Sequence, residues 1–249
     1  MLSFYQLDPQ TYDDQFWWKK DDIEFWKSVL LEDSKKTILE LGAGTGRLAG
    51  PLVTAGNHYM GLDISKEYVE YAQQKFSKIK NIEFIQADMI DFNLKKTFDL
   101  IFIGFNSFLH LLKDDDATSC FKCVKKHMHK NTRFLIDIFI PNPLFLYRPE
   151  EIRFHVLEFN DSISGDKMYV EESNKYDADT EINKLTWYFS FDDQKDFAIE
   201  QFSMRMYFPS KMNQILIDNG FRILHQWGDY YRTPLGDGSK LQIYDVCLA

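Results

Sequence analysis

The sequence predicts an α/β domain: a mostly parallel sheet of seven strands with helices on both faces, interrupted after the fifth strand by a small antiparallel sheet. Three observations predict it. Strand-like and helix-like stretches alternate up to residue 140. The fourth strand candidate, "FDLIFIGF" (98–105), is almost continuously apolar, as a strand buried on both faces should be. Residues 150–208 then lose every helical period and read as four alternating strands separated by polar turns.

Each element has its own signal. In residues 12–31, Ile23, Trp26 and Leu30 recur at helical spacing among charged residues, which predicts an amphipathic helix. "TILEL" (37–41) reads as the first strand and 45–55 as a helix, with Pro51 near its start. "HYMGLDI" (58–64) is the second strand. Ser65 then caps a helix over 66–76. "IEFIQA" (82–87) is the third strand. A helix over 114–129 has the apolar face Ala117, Cys120, Phe121, Val124 and Met128, and "RFLIDIFI" (133–140) is the fifth strand. The insertion contributes "IRFHVLEF", "KMYVEESNKY", "KLTWYFSF" and "FAIEQFSMRMYF". A helix over 210–220, stopped by Gly220, and two strands (221–227 and 241–248) return to the main sheet. The expected division is 1–149 with 209–249 as the core domain, and 150–208 as an insertion covering an acceptor site.

Composition narrows the function. The 249 residues carry a net charge of −9 and a pI near 5.2. A nucleic-acid binder concentrates Lys and Arg, so nucleic acid is not expected as a partner. No apolar run reaches the roughly 18 residues of a membrane helix, and "FLIDIFIPNPLFLY" is broken by Asp137, Asn142 and two prolines. "MLSFYQLDPQ" has neither a basic segment nor a long apolar core, so no signal peptide is expected. Three cysteines, an odd count, point to free thiols and a cytoplasmic location. Cys120, Cys123, His127 and His129 suggest zinc by spacing, but four ligands on one straight helix cannot surround a tetrahedral ion, so no metal is expected.

The candidate site begins at "LELGAGTGR". Gly42, Gly44 and Gly46 stand between the first strand and the first helix after it, where open α/β sheets bind nucleotide-like ligands. Glycine lets the backbone approach a ligand and take positive φ. The spacing is one residue shorter than the dinucleotide pattern G-x-G-x-x-G. Asp63 ends the second strand and can accept from both ribose hydroxyls. Asp88, in "QADM", can accept from an adenine amino group while the Met89 N–H meets a ring nitrogen. Glu40 adds negative charge under the turn. Three converging carboxylates suit a cationic sulfonium better than a pyrophosphate.

"LELGAGTGR", "GLDIS", "ADM" and "FDLIFIGFNSFLHL" resemble the ordered motifs of class I S-adenosylmethionine-dependent methyltransferases, a Rossmann-like family. The likeness is greatest to bacterial small-molecule enzymes of the type 11/25 domain group, which carry a β insertion after the fifth strand. "RMYFPSKMNQILIDNGF" and "GDYYRTPLGDGSKLQIYDV" extend it over nearly the whole chain. One departure is "HKNTRF" before the fifth strand, where the family has a Pro-Gly-Gly type of turn. The resemblance implies S-adenosyl-L-methionine as cofactor. Gly42, Ala43, Gly44, Gly46 and Arg47 would shape its methionine side, with Glu40 below them. Asp63 and Ile64 would hold ribose and adenine, Asp88 and Met89 adenine, and Phe105 and Asn106 would line the pocket. Tyr12 resembles an N-terminal tyrosine that closes over the cofactor. A monomer or homodimer is expected.

Methyl transfer needs an acceptor lone pair aligned with the methyl carbon opposite sulfur, and no nucleophilic residue. His110 is the candidate base, Asn106 and Ser107 orient an acceptor, and Tyr230 touches it from the rim. Phe105 and Phe108 can face a sulfonium. Trp17 and Trp18 would form a lid or, as the stronger expectation, pack a flanking helix on the sheet. Arg205 would bind a substrate carboxylate or stand exposed on its strand. Trp187, Tyr188 and Phe189 would roof the acceptor pocket. Two other readings stay open: a non-catalytic module binding a protein through the aromatic insertion, and a dinucleotide oxidoreductase. Methylation of protein or RNA is a third, disfavoured by the acidic charge.

Overall fold

The computed structural model describes residues 7–30, 36–53 and 56–249. It divides into two compact units: Lys20–Ile140 with Tyr207–Ala249, and the described residues up to Lys19 with Pro141–Met206.

In the larger unit, strands β1 (Thr37–Leu41), β2 (His58–Asp63), β3 (Ile82–Gln86), β4 (Phe98–Ile103) and β5 (Met128–Phe139) run parallel. Strand β11 (Leu241–Leu248) pairs antiparallel with β5, and β10 (Phe221–Trp227) antiparallel with β11. The order β10-β11-β5-β4-β1-β2-β3 places β1 beside β4, so the chain reverses direction across the sheet between these two strands. Ligands of open α/β sheets sit at the carboxyl ends of the strands flanking such a point. The seven-stranded sheet predicted from the sequence is therefore present, with its order now fixed.

Helices cover both faces. On one, Phe25 and Trp26 of α2 (Ile23–Val29), Ala49 and Leu52 of α3 (Ala49–Leu52), and Val69 and Ala72 of α4 (Lys66–Lys75) pack on Ile38, Tyr59, Phe84, Leu100 and Phe102. On the other, Phe121 of α5 (Asp114–Lys126) meets Phe134 of β5 and Phe221 of β10, with ring centroids 6.1 and 5.4 Å apart.

The smaller unit is a four-stranded antiparallel sheet in the order β6 (Phe154–Asn160), β7 (Lys167–Asp177), β8 (Ile182–Ser190) and β9 (Ala198–Arg205), as its alternation predicted. Two short helices join it, α1 (Pro9–Gln15) and α6 (Pro143–Leu146). Thr11 of α1 donates to Asp161 at 2.8 Å, and Asn174 of β7 donates to the Leu146 carbonyl at 3.2 Å. Among the described residues no helix is long and apolar enough to cross a membrane.

Several boundaries differ from expectation for local reasons. The helix drawn over 12–31 is two helices, and residue 31 lies outside the described residues. Thr11 and Gln15 bury in one unit while Phe25, Trp26 and Val29 bury in the other, so one straight helix cannot serve both. For the same reason α1 groups with the insertion rather than with the core domain to which residues 1–149 were assigned. Trp17 and Trp18, at 60% and 47% exposure, lie in the break and pack no helix on the sheet. The helix drawn over 45–55 shrinks to α3 because Gly46 still takes a left-handed φ of +78°; residues 54 and 55 lie outside the described residues. Strand β5 starts at Met128, five residues early. Thr132 Oγ1 donates to the Phe98 carbonyl at 2.5 Å, where the register with β4 slips. Helix α7 (Pro209–Asp218) ends before Gly220, which takes φ +78° as a C-terminal stop should.

Candidate active site

The carboxyl edge of β1 to β4 is where buried strands give way to half-buried residues. Gly42, Gly44, Asp63, Asp88, Met89, Phe105 and Asn106 are partly exposed there, and Ile64 is 43% exposed. The glycine turn after β1 has φ of +72°, +54° and +78° at Gly42, Gly44 and Gly46. Its start is pinned to β2, since the N–H groups of Gly42 and Ala43 both donate to the Leu62 carbonyl, at 2.8 and 3.0 Å.

Asp63 ties three segments together. Its Oδ2 accepts from the Gly44 N–H at 2.7 Å and its Oδ1 from the Ser65 N–H at 2.9 Å. Its carbonyl accepts from the Ala87 N–H at 2.9 Å, which brings the Asp88–Met89 segment alongside. Burial raises the Asp63 pKa, and backbone N–H groups of Ser65, Gly44 and Ile64 oppose that rise. Two carboxylate oxygens offer about four lone-pair sites, so the carboxylate keeps acceptor capacity beyond these bonds. Asp88 folds back on its own turn, accepting from the Ile90 N–H at 3.1 Å. Met89 lies near the turn: a Cβ built on Gly42 would stand 3.6 Å from its Cε.

Glu40 does not supply the negative charge expected of it. It is buried, its Oε2 accepts from the Tyr59 hydroxyl, and burial pushes its pKa up to about 8, against the Tyr59 bond and the charge of Arg47. It is therefore largely neutral at pH 7, and two carboxylates rather than three mark this edge. A folded-state pKa above the unfolded 4.5 has a defined sign. The group's stabilisation is full below 4.5 and is lost as pH rises to about 8, at up to ~1.4 kcal/mol per pH unit. Glu40→Gln is expected to flatten that part of a melting-temperature profile measured by scanning calorimetry; an unchanged slope contradicts the assignment.

Arg47 is engaged on the protein side. Its guanidinium donates to both Asp22 oxygens, at 2.8 and 2.7 Å, and lies 5.5 Å from the Phe105 ring centroid. Asp22 is fully buried and also accepts from the Trp26 indole at 3.3 Å. After β4, Phe105 and Asn106 take φ of +48° and +68°. Such a conformation costs side-chain-bearing residues about 1–3 kcal/mol each. The Asn106 Oδ1 accepts from the Phe139 N–H at 2.8 Å, so that oxygen braces β5. Ser107 and His110 open and close a 3₁₀ turn containing buried Phe108 and Leu109; the Ser107 Oγ donates to the Gly42 carbonyl at 3.4 Å.

Tyr230 donates to the Asp137 carboxylate at 2.8 Å. Burial, then the Asp137 charge, pushes its ionisation far up, so the phenol is a donor and not a base. Neighbouring Tyr231 is 91% exposed. In the smaller unit Tyr12 packs edge-on against Phe16, with centroids 4.8 Å apart. Arg205 is 9% exposed and bonded to Glu181 at 3.2 Å, neither of the roles expected for it. Trp187 and Phe189 share one face of β8, in contact at 6.3 Å. Tyr188 points to the other face, where it meets Ser173 and Arg153, so the three cannot roof one pocket. His127 uses both ring nitrogens within the protein. Nε2 accepts from the Leu94 N–H at 2.8 Å, which leaves Nδ1 to donate to the Cys123 carbonyl at 2.7 Å.

Three buried residues of this network escaped the sequence reading: Asp22, Tyr59 and Asp137. Asp137 had a signal, a lone acid inside the apolar run "FLIDIFI". Asp22 had none, standing among Lys19, Lys20 and Asp21.

Residues 38–131, which span β1 to the first part of β5, match a family described as a methyltransferase domain. That match makes residues 38–131 a methyltransferase domain. Over 222 residues it is 26% identical to YqeM of Bacillus subtilis (strain 168), a methyltransferase by name, covering 83% of this chain and 82% of that one. A S-adenosylmethionine-dependent methyltransferase from Clostridium acetobutylicum ATCC 824 superposes with a TM-score of 0.77 at 20% identity, over 96% of each chain. The CcbJ methyltransferase from Streptomyces caelestis gives 0.76 at 17% identity, over 92% of this chain and 95% of that one. At these identities the structural likeness establishes the Rossmann-like fold, insertion included. The methyltransferase domain also fits its cofactor on local grounds. Its turn keeps three left-handed glycines, and the space beside Gly42 and Gly46 has no room for a side chain. Acceptors with spare lone pairs stand at the ends of β2 and β3.

Proposed function

We propose that the chain transfers a methyl group from S-adenosyl-L-methionine to an oxygen or nitrogen atom of a small-molecule acceptor. The observation that carries the reading is the junction of Gly44, Asp63 and Ala87, which gathers the glycine turn, a ribose acceptor and the Asp88–Met89 segment at one edge. Asp63 holds the ribose hydroxyls, Asp88 and the Met89 N–H the adenine, and Ile64 lies against the base. Gly42, Ala43, Gly44 and Gly46 present backbone to the methionine portion. The cofactor supplies a methyl group on a sulfonium, which needs no covalent enzyme intermediate.

The protein's part is alignment and exclusion of water, and alignment is worth roughly 7–11 kcal/mol where bound geometry approaches attack geometry. Asn106 and Ser107 orient the acceptor, and His110 takes a proton when the acceptor arrives protonated. Tyr230 gives its one hydroxyl proton to Asp137 and meets the acceptor through an oxygen lone pair. The charge of −9 argues against a polyanionic acceptor.

A mass-spectrometric screen of cell extract with isotope-labelled cofactor tests this. A labelled small molecule one methyl group heavier is expected. Tight cofactor binding with no labelled product from any fraction would favour a non-catalytic module instead, and labelled protein or RNA would replace the small-molecule acceptor.

A further inference from the structure

Asp137 has no part in the roles assigned above, yet it stands where the site's elements meet. It is 1% exposed, near the end of β5. Its Oδ2 accepts from the Tyr230 hydroxyl at 2.8 Å and from the Phe105 N–H at 3.2 Å, and its carbonyl accepts from the Asn106 N–H at 3.1 Å. Asn106 returns a bond through Oδ1 to the Phe139 N–H. Two consecutive left-handed residues bearing side chains persist only where their surroundings over-determine them. Here β5 supplies that constraint, one strand away from the turn it holds.

The consequence reaches the glycine turn. The left-handed pair aims the Ser107 turn at Gly42, so closely that a Cβ on Gly42 would lie 2.7 Å from the Ser107 Cβ. From the other side the Phe105 ring lies under Arg47, which Asp22 holds by two bonds. There is little slack between β5 and the backbone at Gly42.

We propose that Asp137 is a positioning residue for the cofactor end of the site: it locks Phe105 and Asn106 against β5 and so sets how the Ser107 turn closes on Gly42. The inference rests on the cofactor placement given under Proposed function. What the lock requires at Oδ2 is an acceptor for two donors, not a charge, so an amide oxygen in the same place serves.

The test titrates the full chain with S-adenosylhomocysteine by calorimetry and follows amide hydrogen exchange at Phe105 and Asn106. Asp137→Ala is expected to weaken binding at least tenfold and to speed exchange at those two amides ahead of the rest of the sheet. Asp137→Asn is expected to restore affinity to within about threefold of wild type. Wild-type affinity in Asp137→Ala overturns the inference, as does an Asp137→Asn variant no better than Asp137→Ala. Should Asp137→Ala not fold, Asn106→Ala, which cuts the reciprocal bond, is expected to cost the same tenfold; unchanged affinity there overturns it equally. A wild-type protein that fails to bind S-adenosylhomocysteine counts against the proposed function, while the exchange measurement still decides the role of Asp137.

Discussion

Replacing Asp63 with alanine is expected to weaken S-adenosylhomocysteine binding at least tenfold, about 1.4 kcal/mol, in a protein that remains folded. The loss has two parts. The ribose loses a charged acceptor able to take both hydroxyls, and such charge-assisted bonds are roughly twice as strong as neutral ones. The N–H groups of Gly44 and Ser65 also lose their partner, which frees the turn from the end of β2. Asp63→Asn keeps the size and one acceptor oxygen, so it should fall between wild type and alanine. Calorimetric titration beside a melting curve separates the two contributions. Unchanged affinity in folded Asp63→Ala would remove the ribose from this strand end.

The second large effect is expected at Gly46. Its φ is +78°, and an alanine Cβ there would lie 2.5 Å from Phe84 Cζ and 2.9 Å from Phe76 Cε2. Phe84 is buried and stacks on Phe76 with centroids 5.8 Å apart, so the Phe84 ring has little room to yield. A left-handed side-chain-bearing residue costs ~1–2 kcal/mol, and overpacking a filled core ~1–3 kcal/mol more. The melting temperature of Gly46→Ala should fall by about 10 °C, and S-adenosylhomocysteine binding should be lost with the turn. Gly165→Ala is the control. Its φ is +81°, but a Cβ there meets nothing within 4 Å, so only the conformational part remains. Equal losses in the two variants would show that packing against Phe84 contributes nothing.

Much of the fold was legible because the signals were local. The continuous apolar run of β4, the Ser65 cap and the alternation of the insertion each act within a few residues. The long helix over 12–31 failed because its two halves bury in different units, and no periodicity within one segment reports that. The end of α5 was overrun because His127 closes it through its own ring bonds to Cys123 and Leu94, a tertiary arrangement rather than a propensity.

The candidate site divides in the same way. Residue type and strand-end position were enough to nominate the three glycines, Asp63 and Asp88. Charge state was not: Glu40 reads as an anion in sequence, and burial beside Tyr59 makes it mostly neutral at pH 7. Nor could spacing reveal that Arg47 is spent on Asp22, or that Asp137 holds Tyr230 to the loop after β4. These partners lie 25 and 93 residues apart.

The central claim is that S-adenosylmethionine lies across the ends of β1 to β3, and a crystal structure with S-adenosylhomocysteine bound tests it most directly. The ribose hydroxyls should fall within hydrogen-bonding distance of the Asp63 carboxylate, with the adenine amino group on Asp88. Ligand density elsewhere in the chain, or those two carboxylates facing separate spaces, would contradict it.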